Sequence, residues 1–359
     1  MYALNRTEDG HVWGVCPEVE GLFGEPERGT YELLGWQPEG SGFRDGDWLG
    51  DRVWLIPERV PTAAGEPEGG EEGDSWLLWD VEASHSTSGL VVTGEEDQLG
   101  PPDGHRGPVR LHDGHRWLGS CREFAAVVPA QRTDPPLVLR GLAPGEELKR
   151  ALAKGTRRAL ELDEAELELR DGQGAPLTSR LMRPVVTGWE PSALGPDLID
   201  LTLDGYDDPV PAWARDVWER WLAGPPAEPG AWAALDTRRR GAWHDLVRER
   251  ACRRTPVDRA TGTAYELDGR DVTDVPGLWL ALGEAVNGPG GYFGGSFQAL
   301  HECLGGGFGF TAPATLTWRD ADVARAHLSR ALSPDGEPYD LFAATVRALE
   351  EDGMRVVRA

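Results

Sequence analysis

The sequence predicts a multi-domain α+β protein that ends in an α/β domain built on a three-stranded parallel sheet. Three observations predict it. Short alternating runs broken by Gly and Pro, such as Thr30–Trp36 and Asp51–Pro57, crowd residues 1–60. Between residues 209 and 260 a four-residue apolar spacing replaces the alternation. From residue 261 onward candidate strands are separated by candidate helices, an order that implies parallel pairing through right-handed crossovers.

Residues 1–60 therefore read as a β-rich unit. Residues 61–74 (PTAAGEPEGGEEGD) hold almost nothing to bury and read as an acidic Pro/Gly linker or loop. An α+β unit follows over 75–208, with a helix expected at Glu146–Leu162 and strands in Glu166–Gly172 and Leu198–Gly205. This unit echoes the first. DGHVWGVC at Asp9–Cys16 precedes YELLGWQPEG at Tyr31–Gly40, and DGHRWLGSC at Asp113–Cys121 precedes LVLRGLAPG at Leu137–Gly145, which suggests a duplicated strand-turn-strand element.

Residues 209–260 form a Trp-rich helical bridge. Pro211 suits a first helical turn, and Trp213, Val217 and Trp221 follow four apart, the spacing of one packed stripe rather than of a ligand box. Between Arg238 and Arg259 there are 8 Lys/Arg and 3 Asp/Glu. Such a run could touch nucleic acid, dock onto an acidic neighbour domain or form a solvated helix face, and the solvated face is the expectation.

Within residues 261–359, Ala264–Gly269 alternates as a strand and turns on Asp-Gly, and Leu278, Leu282 and Val286 mark a helix. Ala314–Trp318 is a second strand, Asp320 caps a helix to Leu332, and Pro338 opens a last helix to Asp352. Gly353 then stops that helix before the closing strand Met354–Val357. At the centre lies YFGGSFQALHECL, Tyr292–Leu304. Ser296 suits an N-cap, Phe297, Leu300, Cys303 and Leu304 share one helical face, and Gln298, His301 and Glu302 share the other. An apolar back, an acid-bearing front and an aromatic, Gly-rich entry make a docking edge. No nucleophile sits beside a base there.

The order strand–helix–helix–strand–helix–helix–strand, with this loop and helix at its centre, resembles the barstar family of intracellular ribonuclease inhibitors. The resemblance covers the C-terminal domain only. It implies a barstar-like inhibitor or immunity protein that binds and blocks a ribonuclease or related nuclease toxin, as in a bacterial toxin–antitoxin pair, and it implies no enzyme activity and no cofactor. It places the partner-binding residues at Tyr292, Phe293, Gly294, Gly295, Ser296, Gln298, His301 and Glu302. Tyr292 matches the family's tyrosine and Glu302 its second acid, while Gln298 stands at the first acid position and His301 replaces the usual tryptophan. A carboxylate in a cleft built for phosphate can stand in for the phosphate.

Composition agrees with a protein partner. The chain has 359 residues and a net charge of −25, which disfavours direct binding to nucleic acid or to an anionic membrane surface. Residues 262–359 alone carry 14 Asp/Glu against 7 Lys/Arg, a surface that attracts a basic nuclease. No apolar run is long enough to span a bilayer, and the four cysteines show no zinc spacing, so a cytoplasmic protein with free thiols and no metal is expected. The triplet Asp-Gly-His recurs at Asp9, Asp103 and Asp113 and reads as a hairpin turn, because no third ligand recurs at a fixed offset. The Gly305–Phe310 run, GGGFGF, lacks the Lys-Ser/Thr ending and the preceding strand of a phosphate loop and reads as a flexible connection. Two alternatives stay open: an interaction scaffold or sensor with a repurposed module, and a metal-dependent enzyme in the front region.

Overall fold

Strands far apart in the chain share each of two large antiparallel sheets, and this rearranges the expected domain boundaries. The computed structural model describes residues 1–40, 43–58, 75–87, 89–96, 98–102, 104–128, 135–154, 160–206, 208–254 and 256–359. The chain forms two compact units, one from residues 1–26, 132–267 and 279–316, the other from residues 27–131, 268–278 and 317–359.

In the first unit a nine-stranded sheet runs in the order Leu160–Glu161, Val185–Pro191, Ile199–Asp204, Leu137–Pro144, Val12–Cys16, Tyr2–Arg6, Ala165–Arg170, Pro176–Met182, with Glu18–Glu20 also on Leu137–Pro144. The second unit holds an eight-stranded sheet: Glu123–Val127, Gly29–Leu34, Gly89–Glu96, Trp76–His85, Asp47–Pro57, Val109–His112, Trp117–Cys121, Gln37–Pro38. Its inward residues, among them Leu33, Val53, Leu55, Leu78, Val92 and Leu111, pack into one core. The expected unit at 1–60 is therefore corrected. Its first strands pair with strands from 137–204 and its later ones with strands from 76–127, because a short hairpin has a hydrophobic face it can bury only against other strands. The segment 61–74 lies outside the described residues.

Only the Asp-Gly-His half of the echo is matched, in two similar hairpins; of its second halves, Gly29–Leu34 pairs with Glu123–Val127 and Gly89–Glu96, whereas Leu137–Pro144 pairs with Ile199–Asp204 and Val12–Cys16. Tyr2–Arg6 pairs with Val12–Cys16, and Val109–His112 with Trp117–Cys121, each with one register shift near the turn. In both turns the Asp accepts the His amide at 2.9 Å, Asp9 from His11 and Asp113 from His115, and the Gly between them is left-handed. These triplets are turns stabilised by their own side chains; Asp103 lies outside the described residues.

Seven α-helices are described, besides a 3-10 turn at Ala212–Ala214: α1 (Glu146–Ala153), α2 (Arg215–Ala223), α3 (Thr237–Ala251), α4 (Val275–Asn287), α5 (Phe297–Leu304), α6 (Ala321–Leu328) and α7 (Leu341–Glu351). None among the described residues is long and apolar enough to cross a membrane. The helix expected to reach Leu162 ends at Ala153, and residues 160–161 form a strand instead.

In the bridge, Val217 and Trp221 of the predicted stripe are buried but Trp213 is only half-buried; Trp218, outside that spacing, is a core residue with Trp232 and Trp243, and the Trp221 and Trp243 rings meet edge to face at 5.3 Å. The basic run is only in part the solvated face expected: Arg248, Arg253, Arg254 and Arg259 are exposed, but others are stacked on rings. Arg238 lies over Trp213 at 4.2 Å, Arg240 over Trp232 at 5.2 Å and Arg250 over Trp221 at 5.7 Å, while Arg253 meets Glu166 at 2.9 Å. A guanidinium is weakly hydrated and planar, so it stacks on an indole at little desolvation cost.

The bridge is also tied to α4. Glu284 accepts the Gly230 amide at 2.8 Å, and burial pushes its carboxyl above the ordinary range despite the opposing pull of that amide. A carboxyl that binds its proton more tightly when folded stabilises the fold below its unfolded-state pKa, and this contribution is lost as pH rises through the folded value. Glu284→Gln should therefore gain stability relative to the natural chain as pH rises from about 4 to about 8, as read by urea unfolding at each pH. An unchanged difference across that range would remove the assignment.

The C-terminal module has a three-stranded parallel sheet in the order Ala264–Asp268, Ala314–Arg319, Met354–Arg358, with α4 and α5 in the first crossover and α6 and α7 in the second. Two boundaries differ from expectation. The helix after Asp320 stops at Leu328, and the last helix starts at Leu341, capped by Asp340 accepting the Ala343 amide at 2.8 Å. Ala331–Leu332 and Pro338–Tyr339, expected as helix, pair as a small hairpin. Pro338 removes a donor and fixes φ, which suits a short edge as well as a first helical turn. Gly353 is left-handed after α7, as a helix stop requires.

Candidate functional site

The docking edge is built on α5. Ser296 takes extended geometry and its hydroxyl accepts the Ala299 amide at 3.2 Å, starting the helix directly after two glycines. Leu300, Cys303 and Leu304 are buried and Phe297 is half-buried beside Trp279, while Gln298, His301 and Glu302 lie on the opposite, solvent-facing side, close to the amphipathic split read from the sequence. Gln298 and Glu302 are one turn apart, and the Gln298 amide donates to the Glu302 carboxylate at 3.3 Å. Burial pushes the Cys303 thiol up to about 11, which leaves it a core side chain rather than a nucleophile.

The entry loop is less open than the sequence suggests. Phe293, expected to pack on a partner, is 0% exposed and meets Phe310 edge to face at 6.1 Å. A Gly-rich loop with no side-chain bulk of its own needs an anchor in the core, and Phe293 is that anchor. Gly294 is buried and left-handed, Gly295 half-buried, and Ser296 committed to the cap. Tyr292 is half-buried between the rings of His244 (5.9 Å) and Phe308 (6.4 Å). Burial pushes its phenol up to about 12, so the hydroxyl keeps its proton and can donate.

Two residues that hold this loop carry no signal in the sequence. Asn287, the last residue of α4, donates through its side-chain amide to the carbonyls of Tyr292 at 2.8 Å and Phe308 at 2.9 Å, joining the loops on either side of α5. In the sequence it looks like an ordinary helix end before Gly288. His244 of α3 hydrogen-bonds the Gly294 carbonyl at 2.9 Å through Nε2, and a Cβ on Gly295 would lie 2.7 Å from its ring. No periodicity signals this contact, because it joins positions fifty apart. Asn287→Ala should cost about 1–3 kcal/mol by leaving two carbonyls without their donor. Hydrogen exchange should show the loss in Phe293, Gly294 and Phe310 amides; an unaltered exchange pattern would mean the loops hold themselves.

The alternative site offers less. His115 lines an open depression of about 360 Å³ with Ser329, Arg330, Leu332, Tyr339 and Asp340. Among the described residues no group of three or more His, Cys, Asp or Glu is placed to hold a metal ion.

No curated protein and no solved structure matches the chain. Residues 263–356 match the model of the Barstar (barnase inhibitor) family, so the module with the parallel sheet, α5 and its loops is barstar-like in sequence as well as in fold.

Proposed function

We propose that the chain binds and blocks a basic ribonuclease or related nuclease through the front of α5, with Glu302 meeting the partner's phosphate-binding residues. The observation that carries this reading is the exposed carboxylate on a short helix whose two flanking loops are both fastened to Asn287. A fixed acid loses little conformational entropy on binding, and a desolvated ion pair with an Arg- or Lys-lined cleft is strong where a mobile surface pair is weak. Gln298 and His301 supply hydrogen bonds beside it, and the acidic charge of the module favours encounter with a cationic partner. Tyr292 contributes the edge of its ring and its hydroxyl. With one acid on α5 instead of two, the contact is narrower than the one the family match implies, and selectivity among nucleases follows from which cleft accepts a single carboxylate.

A second reading, a scaffold that uses the same edge to hold a protein without blocking an active site, is favoured by His244 covering part of Tyr292. The purified full chain should capture at least one member of a panel of basic ribonucleases and toxin nuclease domains and inhibit RNA cleavage at stoichiometric ratio. Capture without inhibition selects the scaffold; no capture across the panel removes the nuclease reading.

A further inference from the structure

The structure assigns the loop Gly305–Phe310 as an oxyanion-binding cradle whose resident occupant is the carboxylate of Asp258. The Gly307 amide donates to both carboxylate oxygens, at 3.0 and 2.8 Å, and the Gly309 amide donates to Oδ1 at 2.9 Å. Gly306, Gly307 and Gly309 all have positive φ, at 105°, 83° and 87°, the backbone condition that turns successive amides toward one point. At Gly309 no side chain fits, since a Cβ would lie 2.1 Å from Asn287 Oδ1. The Gly307 amide, followed by those of Gly309, Phe310 and Phe308, holds the Asp258 carboxyl below the ordinary carboxylate range. The GGGFGF run is therefore not merely a flexible connection.

The location makes the cradle's strength explicit. It follows directly on the C-terminus of α5, where the helix dipole repels an anion, so the converging amides must more than offset that repulsion. The occupant is an exposed side chain between α3 and the first strand of the module, and it can leave without opening the core. A carboxylate presents two oxygens much as one edge of a phosphate does, so the vacated cradle takes small oxyanions. Asp258 is then an intramolecular competitor that also straps the end of the bridge beside α5, independently of any nuclease partner.

The test uses the full chain with glycine amides labelled with ¹⁵N. At constant ionic strength, inorganic phosphate should shift the Gly307 and Gly309 resonances of Asp258→Ala saturably, while the natural chain responds roughly tenfold or more weakly because its cradle is occupied. Asp258→Asn, which keeps an acceptor oxygen but loses the charge, should fall between them. Sodium chloride at the same ionic strength should produce no such shift. An Asp258→Ala spectrum that is otherwise unchanged and shows no phosphate response, or the same response as the natural chain or as chloride, overturns the assignment. Should the alanine variant not fold, the same comparison made with Asp258→Asn decides the question.

Discussion

Glu302→Lys is expected to abolish capture of a nuclease that the natural chain captures, and Glu302→Ala to weaken it by about 2 kcal/mol or more. Alanine removes the ion pair and leaves a partner cation desolvated; lysine adds a like charge in a cationic cleft, where repulsion and desolvation act together. The exposed position of Glu302 means neither substitution disturbs the core, so an unchanged melting profile should accompany the loss. Titration calorimetry with the captured nuclease measures it. An alanine effect below about 0.5 kcal/mol would put the carboxylate at the rim or outside the interface.

Phe293→Ala is expected to cost about 3–5 kcal/mol of folding stability, the range for emptying an aromatic from a packed core. The ring is fully buried and meets Phe310, which lies at the far end of α5's second loop. Its loss therefore frees both loops, and nuclease affinity should fall although Phe293 touches no partner. Urea unfolding at neutral pH gives the stability change. A variant within about 1 kcal/mol of the natural chain would show that the site collapses around the void and that the ring does not position the loop.

The C-terminal module was the legible part of this protein. Ser296 as a cap, the apolar back of α5 and its polar front follow from spacing alone, because a helix's period sorts residues to faces before any partner is known. Gly353 as a stop and the parallel strand order followed in the same way. Helix ends near Leu332 and Pro338 were misplaced, since a strand pair between Ala331–Leu332 and Pro338–Tyr339 is a non-local bond that local propensity does not register. The front region defeated a reading by segments for the same reason: Tyr2–Arg6 finds its partner strand at Ala165–Arg170.

By itself the sequence determined which residues of α5 face out, the excess of acidic residues in the C-terminal module, the turn role of the Asp-Gly-His triplets at Asp9 and Asp113 and part of the buried stripe of the bridge, all consequences of short-range periodicity and charge. Only the tertiary structure decided that Phe293 is an anchor, that Asn287 and His244 hold the entry loop, that Arg238, Arg240 and Arg250 of α3 lie on indole rings and that Asp258 fills the glycine loop. Each of these is a contact between chain segments whose separation carries no pattern, and which of many compatible pairings forms is settled by the packing of the whole core.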